Sequence, residues 1–173
     1  MLPFYWIPFL QRSPARTATK MFSCKNNLAF FHEPKTMSHP TAADLMTRQT
    51  GTLPALLGFQ VVAVEPVVLR AKLLIESHHL APNGYLHAAS VVMLADTACG
   101  YGCMSNLPEG AANFTTIELK SNHLGTVREG WLNCVATAVH LGRTTQVWDA
   151  TITGENGKTI ALFRCTQMVL WPK

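Results

Sequence analysis

One carboxylate stands out in this chain. Asp96 lies inside His87–Ser105, a stretch rich in Ala, Val, Leu, Met and Cys with no other charged residue. A carboxylate in such surroundings is costly unless it is hydrogen-bonded, paired or used in chemistry. The plainer alternative is that this side of the stretch faces solvent or a polar partner. His87 is the second feature. It follows Asn83-Gly84-Tyr85-Leu86 at the start of the same stretch. A helix beginning there presents free backbone N–H groups and a partial positive charge. That end can hold a carbonyl oxygen as it gains charge, or His87 can simply cap the helix. Nine residues separate His87 from Asp96, about 13.5 Å along a helix. The two cannot hold one small reacting group within a single chain. If both act on one bond, they come from two copies, as in a two-fold dimer with antiparallel helices.

Other chemistries find less support. His78-His79 has no Glu-x-x-His or HExxH context and reads as loop. His123 and His140 fall on separate strand-like runs without an evident third ligand, so no metal site is expected. There is no Gly-rich phosphate loop and no Gly-x-Ser-x-Gly elbow, and no cofactor is implied. The five cysteines (Cys24, Cys99, Cys103, Cys134 and Cys165) are odd in number and form no CxxC pair. A reducing compartment follows, and Cys99 and Cys103, four apart, read as core packing on one helix face. The formal net charge of +4 comes without a dense basic block, which argues against nucleic acid. No apolar run reaches the roughly 18 residues needed to span a bilayer, so no membrane role is expected.

The elements around Asp96 must bury an all-apolar helix. With 48% hydrophobic and 14% charged residues, the chain can build a real core and keep apolar surface for a partner subunit. Residues 1–36 hold five basic residues and one acid. They read as an extension, or as an upstream start added to a domain that begins near Met37, and otherwise as a transit segment. A cytoplasmic location is expected, or mitochondrial import if residues 1–36 are such a segment. Capping residues near Ser38 open a short helix to about Gln49, which Gly51 and Pro54 break. Phe59–Val64 and Val67–Ile75 read as strands. After the long helix come runs at about Asn113–Leu124, Trp131–Leu141, Thr144–Thr153 and Thr159–Leu170, with a hairpin signal at Asn156-Gly157. The order is α+β: one domain over residues 37–173, an antiparallel sheet wrapped around a single long helix.

Residues 83–101, NGYLHAASVVMLADTACGY, resemble the helix signature of hot-dog thioesterases of the phenylacetate-degradation (PaaI) type. The resemblance continues through TTIELKSNHLGTVREG (115–130), HLGRTTQVWDATI (140–152) and GKTIALFRCTQMVL (157–170), covering roughly Ala42 to Leu170. It implies a hot-dog fold, a dimer or dimer of dimers (a homotetramer), and hydrolysis of an acyl-CoA thioester at a subunit interface. By that resemblance Asp96 is the catalytic acid, as nucleophile or as general base for water. The N–H of Ala88 is the group that polarises the thioester carbonyl, and Thr116 helps position the reacting groups.

Two departures stand out. The family reads His-Gly-Gly where this chain has His87-Ala88-Ala89; an alanine still offers its N–H, while the methyls narrow the site. The family's amide six residues before the histidine is Ala81 here, with Asn83 the nearest substitute or else a plain turn residue. CoA carries phosphates, for which Arg128, then Arg143, then Lys120 are the candidate partners; each also reads as a surface charge. Two other functions remain open at this level: a hot-dog hydratase or dehydratase, and a non-catalytic acyl-CoA-binding module.

Overall fold

The structure, a computed structural model, describes residues 39–173. The expectations for residues 1–36 and for Cys24 lie outside the described residues. Helix α1 (Ala42–Arg48) opens with a capping box, in which the Thr41 side chain accepts the Asp44 N–H and Asp44 accepts the Thr41 N–H. Such a box satisfies two orphan donors at once. Helix α1 ends at its C-cap Gln49, the break expected from Gly51 and Pro54, and a separate one-turn helix α2 (Leu53–Leu56) follows. Pro54 falls in its first turn, where the missing N–H has no role.

Strands β1 (Phe59–Glu65) and β2 (Val68–Leu74) make an antiparallel hairpin. A 3-10 turn over Ser77–His79 leads to the long helix α3 (Ala88–Ser105). Four strands follow: β3 (Asn113–His123), β4 (Trp131–Leu141), β5 (Thr145–Gly154) and β6 (Thr159–Leu170). They form one six-stranded sheet in the order β1-β2-β4-β5-β6-β3, with every pairing antiparallel. The α+β architecture and the wrapped helix expected from the sequence are what the structure shows.

The sheet curls so that α3 touches all six strands. That explains why α3 lacks a polar face: Val91, Leu94, Ala95, Ala98, Cys99 and Cys103 are all buried. Strand β6 alternates cleanly, with Ala161, Phe163, Cys165, Gln167 and Val169 buried against the helix, as a half-covered antiparallel strand should. Close approach needs small residues. A Cβ at Gly102 would sit 2.6 Å from the Trp148 ring, so only glycine lets α3 reach β5 there. Cys99, Cys103, Cys134 and Cys165 are free and buried, in keeping with the reading of Cys99 and Cys103 as core. Among the described residues no helix is long and apolar enough to cross a membrane.

One stripe of α3 stays open. Ala88 and Ala89 are exposed, and Val92 and Asp96 are only half-buried. These positions recur every three or four residues and so lie along one helix face. The stripe runs from the helix N-terminus to Asp96.

Candidate active site

The N-terminus of α3 is built by the turn before it. Gly84 adopts φ +77°, a left-handed conformation that glycine takes without penalty. The Asn83 Oδ1 accepts the Tyr85 N–H at 3.2 Å, an Asx turn. The Ala81 N–H donates to the Tyr85 carbonyl at 2.7 Å and closes the loop. Asn83 is thus committed through its oxygen to the turn, and it is exposed.

His79, expected in a loop, is instead a buried anchor, only 1% exposed. Its Nδ1 accepts the Glu76 N–H at 2.9 Å, and its Nε2 lies 3.0 Å from the Leu57 carbonyl, which only a protonated Nε2 can satisfy. Its backbone carbonyl accepts both the His87 N–H at 2.9 Å and the Ser90 hydroxyl at 3.0 Å. Burial, with the neighbouring His78 second, pushes the His79 pKa below its ordinary value. Nothing in the residue types of His78-His79 distinguishes this anchor from a loop pair, because its partners are backbone groups distant in sequence.

His87 is the N-cap of α3: it is extended (φ −71°, ψ 135°), and its Nδ1 accepts the Ala89 N–H at 3.0 Å. The Ser90 N–H donates to the His87 carbonyl at 3.0 Å. Among the described residues the Ala88 N–H has no acceptor. It is an exposed donor at the positive end of a long helix, the arrangement that stabilises a developing oxyanion.

Asp96 sits two turns further along the same stripe. Thr116 of β3 reaches it, Oγ1 to Oδ1 at 3.2 Å. The same hydroxyl oxygen lies 2.9 Å from the Oε1 of Gln167, its cross-strand partner on β6. A bulge at Thr116–Glu118 makes Ile117 an extra residue in β3, and bulges re-aim neighbouring side chains. Burial raises the Asp96 pKa, and the Thr116 hydrogen bond partly opposes the rise. A half-buried carboxyl poised above its ordinary value is better matched to accept a proton near neutrality.

Gln167 escaped the sequence reading, although a signal was present. It is a polar residue on the apolar register of β6, between Cys165 and Val169, and it is fully buried. Such a group needs partners; it has Thr116 and, through Nε2, the Cys165 Sγ at 3.3 Å.

The three cations do not converge. Arg128, in the β3–β4 loop, stacks 4.5 Å over the Tyr85 ring, beside the turn that starts α3. Arg143, in the β4–β5 turn, stacks 4.9 Å over Trp171 and shares a groove with Asn106 and Pro108, just past the other end of α3. Lys120 faces Arg164 across the β3–β6 ladder, on the side of the sheet turned away from the helix. It joins neither end of α3. Among the described residues no cluster of His, Cys, Asp or Glu could hold a metal ion.

Known proteins resemble this chain in sequence and in fold. The thioesterase superfamily model matches residues 83–161, which span the α3 signature, β3, β4 and β5. The Pseudomonas aeruginosa esterase PA1618 is 31% identical over 131 residues, covering 76% of this chain and 90% of that protein. A crystal structure of a variant of it, described as a thioesterase, superposes with a TM-score of 0.74, covering 78% of this chain and 96% of that one. A 1,4-dihydroxy-2-naphthoyl-CoA hydrolase from Listeria monocytogenes is 33% identical over 110 residues, covering 64% of this chain and 89% of that enzyme. The Escherichia coli PaaI protein, at 24% identity and a TM-score of 0.66, covering 75% of this chain and 91% of that one, shares the fold. A sheet wrapped around one long helix, matched along nearly the whole length of such relatives, places this chain in the hot-dog thioesterase superfamily.

Proposed function

We propose that the protein hydrolyses an acyl-CoA thioester to the free acid and CoA, at a site shared by two copies of the chain. The observation that carries this reading is the open stripe of α3. It holds the free Ala88 N–H at one end and Asp96, braced by Thr116, at the other. Two such stripes packed antiparallel bring the N-terminus of one helix beside the Asp96 of the other. The thioester carbonyl then lies against the Ala88 N–H of one copy, with His87 holding that helix end in shape, and Asp96 of the other copy faces the carbonyl carbon.

Strand β3 is the edge through which a second copy approaches. Among the described residues it is paired on one side only, through β6. It carries exposed Ile117 and Leu119 and lies beside Asp96 through Thr116. An apolar sheet edge left open invites another strand. The homo-oligomer is therefore a dimer at least, and a dimer of dimers is compatible with it.

Asp96 acts either by taking a proton from water, which attacks the carbonyl carbon, or by attacking that carbon itself to form an anhydride that water cleaves. Both routes end with the carbon–sulfur bond broken and the CoA thiolate reprotonated. Arg128, held over Tyr85 at the rim of the helix N-terminus, is placed to meet a CoA phosphate, since Arg pairs well with phosphate oxygens. Arg143 lies at the other end of α3 and meets the same CoA only if it comes from the opposite copy. An aromatic acyl group is the first to try, because the Listeria relative is named for one.

A thiol-release assay over aryl and fatty acyl-CoA esters tests the proposal. Wild type is expected to release thiol, and Asp96→Asn to lose about 10²- to 10⁴-fold in kcat. A near-normal rate in Asp96→Asn would remove Asp96 from the mechanism. CoA esters bound without turnover would make the protein a binding module.

A further inference from the structure

Asp96, Thr116 and Gln167 form a line of three oxygens in which one hydroxyl proton has two possible acceptors. The Thr116 Oγ1 lies 3.2 Å from the Asp96 Oδ1 and 2.9 Å from the Gln167 Oε1. A hydroxyl has one proton to donate, so it serves one neighbour at a time. Gln167 cannot turn to water: it is 0% exposed, and its Nε2 is engaged with the Cys165 Sγ. With Asp96 ionised, the charge-assisted bond from Thr116 is the stronger choice. With Asp96 protonated, its oxygen is a poorer acceptor and the amide oxygen of Gln167 wins.

We propose that Gln167 is a positioning residue, whose buried carboxamide oxygen receives the Thr116 hydroxyl each time Asp96 takes up a proton and returns it when the carboxylate is regenerated. No covalent proton transfer along the line is needed. The proton that Asp96 accepts comes from the attacking water, and the Thr116 hydroxyl only rotates. Gln167 thereby stabilises the protonated state of Asp96 and makes Asp96 a stronger base than Thr116 alone would leave it. The inference rests on Asp96 being the reacting carboxylate, by the route in which it takes a proton from water.

Among the described residues no other charge competes at Asp96. On α3 the neighbouring titratable group is Cys99. Cys165 of β6 and Cys134 of β4 face Cys99 in turn. Hydrogen bonding to Cys165, then burial, holds the Cys99 thiol well above its ordinary value, and burial pushes Cys134 up to about 12. Both are neutral at physiological pH. Glu118, beyond the bulge on β3, turns to the Thr166 hydroxyl at 3.4 Å on the exposed side.

The test is an NMR titration of the full chain, following the Asp96 carboxyl carbon and the Gln167 carboxamide, beside the pH profile of thiol release. In wild type the Gln167 signals are expected to move with the Asp96 midpoint. Gln167→Met commits the hydroxyl to the carboxylate, so the Asp96 midpoint falls. Thr116→Val removes that bond altogether, so the midpoint rises. The acid limb of kcat follows each shift, and Gln167→Met loses about tenfold in kcat with KM within about twofold. Gln167 signals that stay flat while Asp96 titrates overturn the proposal, and this reading needs no variant to fold. So does an Asp96 midpoint unchanged in Gln167→Met, or a kcat profile that the variant leaves in place. Absence of thiol release from wild type would count against the thioesterase reading instead, and the titration would still decide whether the hydroxyl is shared.

Discussion

At Asp96, burial and the Thr116 hydroxyl pull the carboxyl in opposite directions, and burial wins. Its folded pKa is therefore above the unfolded value. The folded state binds the proton more tightly, so stability is lost as pH rises from the unfolded value of 3.8 through the folded one, and the penalty is complete above that. Asp96→Asn removes the charge and keeps an oxygen for Thr116. Thermal unfolding at pH 7 should show this variant at least as stable as wild type, with its advantage shrinking below about pH 4. His79 has the opposite sense. Its folded pKa lies below the unfolded 6.5, so its contribution is present above 6.5 and is lost as pH falls through the folded value. Protonation would set a second N–H against the Glu76 N–H that Nδ1 accepts. His79→Ala should cost about 2–4 kcal/mol in urea unfolding at pH 7.5, from the cavity and the lost hydrogen bonds. It should also flatten the acid side of the stability profile.

Helix α3 is the element on which the site depends, and its distance from the sheet is set by small residues. A Cβ at Gly102 would run into the Trp148 ring, and one at Gly100 would sit 3.1 Å from the Phe114 ring. Trp148 cannot easily give way. It is fully buried, and its Nε1 donates to Gln146, whose own Nε2 donates to the Asn106 carbonyl at the end of α3. Adding a methyl at Gly102 forces either the helix or the indole to shift, at about 1–3 kcal/mol. Because Asp96 rides on the same helix as Gly102, Gly102→Ala is expected to lower both the unfolding midpoint and kcat, measured side by side in denaturation and thiol release. A stable variant of normal rate would mean that α3 tolerates displacement. The bulge in β3 has a related role. It occurs at Ile117, next to Thr116, and lets the strand keep its ladder with β6 while Thr116 turns toward the helix.

At the scale of the whole molecule, the Thr116–Asp96 contact joins the open stripe of α3 to the terminal strand β3 of the described sheet. Exposed Ile117 and Leu119 border the same end of the sheet as Thr116. Charge on an edge strand blocks strand addition. Ile117→Lys is therefore expected to shift the protein toward monomer in light scattering and to reduce thiol release in proportion, while the circular dichroism spectrum stays that of the folded chain. A monomeric variant with full turnover would show that one chain completes the site alone, against the roughly 13.5 Å that separates His87 from Asp96 along the helix.

Much of this was legible in the residues themselves. The apolar run His87–Ser105, too long for a strand and without a polar face, required a sheet around it. The strand-like runs and turn signals supplied that sheet, because alternation and Asn-Gly turns are local properties. Asp96 and the helix N-terminus are conspicuous by type and spacing, and the α3 signature by itself points to the family. What is set by groups far apart in sequence needed the tertiary structure. His79 became an anchor only when Leu57 and His87 were brought to it. The cross-strand register put Gln167 opposite Thr116, and the inward face of β6 closed it off from water. The same register turned Lys120 away from the helix, while the loops carried Arg128 and Arg143 to opposite ends of it. Local sequence sets which groups a chain has and which elements carry them. Register and packing decide which of those groups share a proton, because hydrogen bonds form between neighbours in space and only the folded chain defines those neighbours.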